Sequence, residues 1–368
     1  MRTLFAAASA AVLLTLAAPC AGADLPADAM PMPLAREVVT QAIALVDAKG
    51  VHPRSQAEYA YAKSQLLLTV ANGGEQVDRN EVYGRIRKLL ATLDADGHSF
   101  LMPAAQKPVQ QQGQQQPASQ PLSQLLRGMA GEELRAPSFR LVTTSRGTVL
   151  RWTPPAIVGA AQDTISVYVK RFYDEAAGRP DIKEACALVV DLGEQTGGNA
   201  WPPFVAMYPL FSDANKANWV DRDDKRIPFV NRANLARLAG VGAGGRANPL
   251  APFADGPLAV VVGSRTASAG EMLLVALLGE NRVQTFGQTS RGLSTANNTY
   301  PLADGSKLVL TEMRYAVGDG PVYRGGIPAM HPVEKGAPVD AATRAAAEWA
   351  AANSPACGPG PRVASSTN

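Results

Sequence analysis

A serine does covalent chemistry when one group takes its proton and others receive the charge that develops on the attacked carbonyl. Ser268 has the setting for this. It stands in Ser264-Arg265-Thr266-Ala267-Ser268-Ala269-Gly270-Glu271, straight after the β-branched run Leu258 to Val262 and at the head of the apolar stretch Ala267 to Leu278. The pattern predicts strand, turn and helix. Such a unit exposes the turn residue at the top of a sheet and aims the unpaired N–H groups of the helix at whatever binds there. The N–H of Ala269 is then a candidate oxyanion donor. Spacing alone equally allows Thr266 or Ser268 to be a plain N-cap.

The base has few candidates, because the chain holds three histidines. His98 lies in Asp96-Gly97-His98-Ser99-Phe100, just past a helical stretch, with Gly97 as its left-handed stop. Imidazole suits general-base work near neutral pH, although a lone loop histidine is by itself more often a surface residue. His52 and His331 each precede a proline at the edges of the pattern. A second source of oxyanion donors is Gly197-Gly198 in Thr196-Gly197-Gly198-Asn199, where two glycines after a strand allow close backbone approach. An ordinary turn reads the same way.

These residues need a scaffold. Val38, Val39, Ala42, Ile43 and Val46 recur at helical spacing; Tyr59 to Val70 and Val82 to Leu93 repeat it, with a break at Asn72-Gly73-Gly74. Residues 24–104 therefore read as an N-terminal helical domain. Residues 105–125 are rich in Gln and Pro and read as a flexible segment. The core spans 126–350: strands at Phe139 to Thr143 and Thr148 to Trp152, a helix at Ile165 to Ala176, buried strands at Ala187 to Leu192 and Leu258 to Val262. Further strands are expected at Val283 to Phe286, Lys307 to Leu310 and Met313 to Ala316. The alternation argues for an α/β fold. Residues 351–368 read as a disordered tail.

Composition narrows the class. Hydrophobic residues are 46% of the chain, enough for a sizeable core, and a formal net charge of +3 gives no basis for a nucleic-acid partner. Met1-Arg2, the uncharged run Phe5 to Ala18 and the small residues of Ala21-Gly22-Ala23 form an export signal over 1–23, placing the mature chain in the periplasm or outside the cell. The run is shorter than the roughly 20 residues of a membrane span. Pro19 before Cys20 disfavours a lipid anchor. Export permits a disulfide. Cys186, however, lies in a stretch that reads as a buried strand, where a lone cysteine behaves as a small hydrophobe, and Cys357 sits in the expected tail; unpaired cysteines are the expectation. No spacing suggests a metal site or a cofactor.

Together the motifs resemble the tail-specific, or C-terminal-processing, serine peptidase family. Thr266-Ala267-Ser268 followed by small residues and Glu271 is similar to the family's nucleophile motif. Val190-Asp191-Leu192 with Gly197-Gly198-Asn199 resembles its D-L-R-x-N-x-G-G segment, with Gly193 in place of Arg. The resemblance covers roughly 82–333, apart from the Gln-rich excursion and a weak stretch before Ala185. Members with a Ser–Lys dyad carry a lysine downstream of the serine; here no lysine lies between Ser268 and Lys307, and Arg291 cannot lose its proton to serve instead. The His-using branch, which includes nisin resistance proteins and tricorn-like peptidases, fits better. Thr196 to Pro202, Phe286 to Gly292 and Asp94 to Phe100 all resemble segments of that branch. The resemblance implies a crotonase/ClpP-like spiral core under an N-terminal helical domain. The stretch from Met102 to Ser138 is too short for the family's inserted PDZ domain.

The expected chemistry is peptide-bond hydrolysis through an acyl-enzyme, with a peptide or protein C-terminus as substrate. Ser268 attacks, His98 serves as base and then acid, and N–H groups of Gly197, Gly198 and Ala269 hold the oxyanion. Glu271, Glu312 and Ser99 are candidates to orient His98, and a bare dyad is also open. Trp201 and Tyr208 are candidates for the cleft wall. Two other readings remain at this level: a non-catalytic protein binding a hydrophobic ligand or peptide on the same fold, and an esterase using the same two residues.

Overall fold

The computed structural model describes residues 28–71, 73–94, 97–104, 137–157, 164–334, 336–338 and 340–358. The expected export signal, the Gln/Pro-rich segment 105–125 and residues 359–368 lie outside them.

The first region comprises β1 (Ala29–Pro31), α1 (Met32–Lys49), α2 (Gln56–Ala71), β2 (Gln76–Asp78) and α3 (Arg79–Leu90). The three helices sit where apolar spacing places them. Asp78 caps α3 by accepting the Asn80 N–H at 2.8 Å, a contact typically worth about 1 kcal/mol. α3 stops at Leu90, short of the expected Leu93, because Thr92 and Leu93 turn back on Leu89 and Leu90. The inward faces of α1 and α3, Val38, Val39, Ala42, Val82, Ile86 and Leu89, share one core.

Next comes β3 (Phe100–Met102), directly after His98. The remaining elements form two sheets and their covering helices. The first sheet contains β4 (Ser138–Thr144), β5 (Gly147–Thr153) and β6 (Ala187–Asp191). The second contains β7 (Ala217–Val220) and β8 (Arg226–Pro228). The first sheet continues with β9 (Leu258–Val262) and β10 (Val283–Gly287). The second gains β11 (Thr295–Pro301) and β12 (Lys307–Val317), and β13 (His331–Pro332) finishes the first. Its strand order is β13-β10-β9-β6-β5-β4, parallel except for the β4–β5 hairpin.

Both faces of the first sheet are covered, which is why β9 is apolar along its whole length, β6 is apolar up to its final Asp191, and both are fully buried. On one face lie α4 (Thr164–Ala177), α5 (Trp201–Ala206), α6 (Arg232–Ala243) and α7 (Ala269–Leu278). On the other lies α8 (Ala341–Asn353). Its Ala346, Ala347, Ala350 and Ala351 seat against Ala187, Val189, Ala259 and Val261. Small side chains on the helix let it approach the sheet closely.

The second sheet is antiparallel, in the order β11-β12-β7-β8. The two strands expected around Thr311-Glu312 are one strand of 11 residues, because Thr311 is buried and its hydroxyl donates to Asp94. β3 joins this strand, pairing Phe100 with Val309, Leu101 with Leu308 and Met102 with Lys307. Leu308 and Leu310 of β12 then complete the core of the helical region. The two regions are thus stitched through β12.

Two expectations for the C-terminal end are corrected. The chain beyond 350 continues as helix to Asn353 and stays ordered through 358. Cys186 and Cys357 form a disulfide. Cys186 lies one residue before β6, at the sheet rim and partly exposed, and α8 lays Cys357 beside it with Cα atoms 4.9 Å apart. Ser354 Oγ donates to Cys186 O at 2.6 Å and fixes the same junction. The bridge closes a loop of 171 residues. Its removal by Cys357→Ser is expected to lower unfolding stability by about 2–4 kcal/mol, read by denaturant titration against wild type. Free thiols at both positions in protein purified under oxidising conditions would contradict the bridge.

Candidate active site

Ser268 sits at the turn from β9 into α7. Thr266 Oγ1 donates to Leu192 O at 2.7 Å and accepts the Gly263 N–H at 2.9 Å, while Ala267 N–H reaches Gln195 O at 3.0 Å. These bonds force a tight reversal. Ser268 takes φ 51° and ψ −110°, a region sparsely populated by residues other than glycine and costing on the order of 1–3 kcal/mol.

Glu271 offsets that strain. Its side chain is fully buried. One carboxylate oxygen accepts the Ser268 N–H at 3.0 Å; the other accepts the Gly292 N–H at 2.8 Å and the Ser290 hydroxyl. Burial pushes its carboxyl above the usual carboxylate range, with these donors acting in the opposite direction.

His98 arrives from the other side of the chain. The buried Asp94 carboxylate holds its loop, accepting the His98 N–H at 2.9 Å, the Ser99 N–H at 3.0 Å, the Ser99 hydroxyl at 2.7 Å and the Thr311 hydroxyl at 3.1 Å. Asn297 Nδ2 donates to His98 O at 2.8 Å. The ring is buried, with Nε2 3.0 Å from Ser268 Oγ and Nδ1 against Thr295 Oγ1. A neutral ring that keeps its proton on Nδ1 donates to Thr295 and turns the Nε2 lone pair to the serine. Thr295 is itself placed by β11 and by Tyr315, whose hydroxyl donates to Thr295 O at 3.1 Å.

Gly197 and Gly198 border the serine. Their φ angles are +120° and +98°. A Cβ on Gly197 would stand 3.1 Å from Ser268 Cβ, and one on Gly198 would stand 2.1 Å from Ile157 O, so neither position takes a side chain. The buried Gln195 fixes this turn. Its Nε2 donates to Pro155 O at 2.7 Å and its Oε1 accepts the Gly197 N–H at 3.1 Å. Gly197 is therefore occupied as a donor. Among the described residues, the N–H groups of Gly198 and Ala269 have no acceptor; Ala269 follows Ser268 in the chain, and Gly198 follows the glycine packed against it.

The structure brings together Ser268, His98, Gly197, Gly198 and Ala269. The candidates to orient His98 are placed otherwise. Glu271 faces the serine's own helix start, whose N–H groups are the nearest donors. Glu312 bonds Asn298 and Tyr300. Ser99 bonds Asp94 and accepts the Thr311 N–H at 3.1 Å. Thr295, Asp94, Asn297 and Gln195 were missed as site residues. Gln195 adjoins Thr196-Gly197-Gly198 and was within reach of the motif; Thr295 had no local signal. Trp201 is 40% exposed and meets Phe204 and Trp219 edge to face. Among the described residues no cluster of His, Cys, Asp or Glu could hold a metal ion.

Residues 161–327 match the model of peptidase family S41. The nisin-resistance protein of Lactococcus lactis subsp. lactis is 30% identical over 124 residues, which are 34% of this chain and 38% of that protein. The chloroplastic carboxyl-terminal-processing peptidase 2 of Arabidopsis thaliana is 35% identical over 85 residues, 23% of this chain and 16% of that protein. The chain thus spans well under two thirds of the curated relatives it matches. Among solved structures, a lipoprotein from Streptococcus agalactiae superposes with a TM-score of 0.62 at 17% identity, covering 87% of this chain and 96% of that one. The photosystem II D1 C-terminal processing protease superposes at 0.53 with 14% identity, covering 86% and 98%. The chain is thus similar, over part of its length, to peptidase family S41, to a carboxyl-terminal-processing peptidase and to nisin-resistance protein, and it shares a mixed α/β fold with the D1 C-terminal processing protease.

Two outcomes follow for the site. Thr295→Val removes the acceptor of Nδ1–H at nearly constant volume. Labelling of Ser268 by a fluorophosphonate is expected to slow by about ten- to a hundredfold, and Thr295→Ser to recover most of the rate; an unchanged rate in the valine variant would remove Thr295 from the site. Glu271→Gln sets an amide NH2 against a backbone or hydroxyl donor and is expected to cost about 1–3 kcal/mol. In the wild type the folded carboxyl keeps its proton to a higher pH than the unfolded one, so stability declines as pH rises between the two values. That decline should vanish in the glutamine variant, measured as melting temperature against pH.

Proposed function

We propose that this protein is a serine peptidase acting outside the cytoplasm on C-terminal tails or small peptides through an acyl-enzyme. The observation that carries the reading is the 3.0 Å approach of His98 Nε2 to the oxygen of a serine held in strained geometry at a helix start. His98 takes the Ser268 proton as the oxygen attacks the carbonyl. The Gly198 and Ala269 N–H groups, with the N-terminal end of α7, receive the oxyanion. His98 then protonates the leaving amine, activates water, and the acyl group is released by the reverse sequence.

The substrate class follows the carboxyl-terminal-processing relatives, and Trp201 offers an exposed aromatic wall beside the glycine turn. Export is supported by the leading segment and by the disulfide, which persists in oxidising compartments.

The test is mass spectrometry of the protein after fluorophosphonate treatment, with peptide cleavage followed in parallel. A single adduct on Ser268 is expected, absent in Ser268→Ala and slowed by about 10²-fold or more in His98→Ala. A wild type that stays unlabelled while a control serine peptidase reacts fully would sink the reading and favour a binding protein on the same fold.

A further inference from the structure

Helix α2 has two apolar faces, and its own region uses one of them. Leu66 and Val70 are buried in the core shared with α1 and α3, with Tyr59 and Ala62 packed against it. On the opposite side Ala57, Ala60, Tyr61, Ser64, Leu67 and Leu68 are all exposed, and Ala71 extends the row. Tyr61, Leu67 and Leu68 are 68%, 47% and 58% exposed. Apolar residues exposed singly are ordinary. A row that recurs every three and four residues is the stripe by which a helix packs against another element.

The stripe carries no charge. Ser64 Oγ donates to Tyr61 O at 2.8 Å within the helix, and Lys63 turns away to Asp47 at 2.6 Å. Beside Leu68 the surface opens into a cleft of about 360 Å³, bounded by Gln65, Thr69, Gln76 and Arg85. At about 3.6 residues per turn the cleft lies on the Tyr61 flank of the stripe, with Ala60 and Leu67 on the other flank.

The row is close to symmetric about Ser64. Ala57 and Ala71, Ala60 and Leu68, Tyr61 and Leu67 stand at equal separations on either side of it. A second α2 laid antiparallel, on a two-fold axis through Ser64, sets Leu67 of each protomer on Ala60 of the other. It brings Tyr61 of each level with the other's Leu68 and cleft. Large side chains then meet small ones or a cavity, as close packing requires. The ends match too. Exposed Arg54 precedes α2 and exposed Glu75 follows it, so antiparallel pairing sets opposite charges together at both ends. A lipid surface fits less well, because exposed Glu58, Glu75, Asp78 and Glu81 border the stripe and anionic headgroups repel them.

We propose that α2 is a self-association surface on which a second copy of this chain packs antiparallel, with Tyr61 of each copy in the cleft beside Leu68 of the other. The contact is isologous and closes as a dimer. The stripe is about 21 Å long and covers less than the roughly 800 Å² per partner of a standard interface. The dimer therefore forms reversibly, at raised concentration. It stands or falls independently of the Ser268 chemistry.

Sedimentation velocity of the full chain over a concentration series reads the association. A reversible monomer–dimer equilibrium is expected, weakened about a hundredfold or more by Leu67→Glu, with the melting temperature checking that the variant folds. Arg54→Glu and Glu75→Arg each weaken pairing by about three- to tenfold, and the double exchange restores it. Ser64→Cys, on the axis, gives a disulfide-linked dimer under mild oxidation, whereas Glu58→Cys, far from the axis, does not. A wild type that stays monomeric at every concentration, a dimer indifferent to Leu67→Glu, or no link through Ser64→Cys overturns the surface. Flotation of monomeric wild type with phosphatidylglycerol vesicles, lost in Leu67→Glu, overturns it in favour of a lipid surface.

Discussion

The site depends on three residue pairs between β3 and β12. Phe100, Leu101 and Met102 lie against Val309, Leu308 and Lys307, and His98 stands two residues before that ladder. Joining segments so distant in sequence carries a chain-closure cost, although that cost grows only logarithmically with length. Apolar burial offsets it: Leu101, Leu308 and Leu310 enter the core made by α1 and α3. The Asp94 network adds directionality, since its carboxylate bonds both the His98 loop and Thr311 of β12. β12 also sets the cross-strand position of Thr295 and the place of Arg314. One strand therefore fixes the imidazole and the hydroxyl it leans on.

The serine side has its own anchor. An ionised carboxylate buried like Glu271 is costly unless donors surround it. Here the donors are the Ser268 N–H, the Ser290 hydroxyl and the Gly292 N–H. They belong to the strained turn and to the loop that leads into β11. Satisfying the carboxylate and restraining the turn are then the same set of contacts. The 290–294 loop passes the restraint on to Gly325 and Ile327, so the Ser268 turn and the approach to Thr295 form one hydrogen-bonded unit.

What could be read beforehand divides along physical lines. The fully buried β6 and β9 were legible as continuous apolar runs, and the three N-terminal helices as 3.6-residue spacing, because burial writes itself into local pattern. Ser268, His98 and the glycine pair drew attention through residue type and the family resemblance, and the fold brings His98 against Ser268 and Gly197 beside it. α8 was not, since its buried face is alanine and carries little hydrophobic contrast. The disulfide was hidden because Cys357 reaches Cys186 only through the docking of α8. Thr295 was hidden because its role arises from strand register, which a single local motif does not encode. Thr311-Glu312 looked like a break because a buried, hydrogen-bonded threonine reads as polar.

Glu271 shows how spacing can mislead about partners. Placement three residues after Ser268 puts it on the same side of α7, which suggested contact with the imidazole. The donors closest to a side chain in the first helical turn are the unpaired backbone N–H groups of that helix, and the carboxylate goes there. A carboxylate with one oxygen on the Ser268 N–H and the other on the next loop is committed to backbone. Among the described contacts, the imidazole Nδ1 meets the Thr295 hydroxyl that the register of β11 presents. A neutral hydroxyl selects the useful tautomer but places less negative charge beside the protonated ring than a carboxylate does. The Ala269 N–H and the end of α7 lie at the same turn, which the strained serine and its glutamate hold in position.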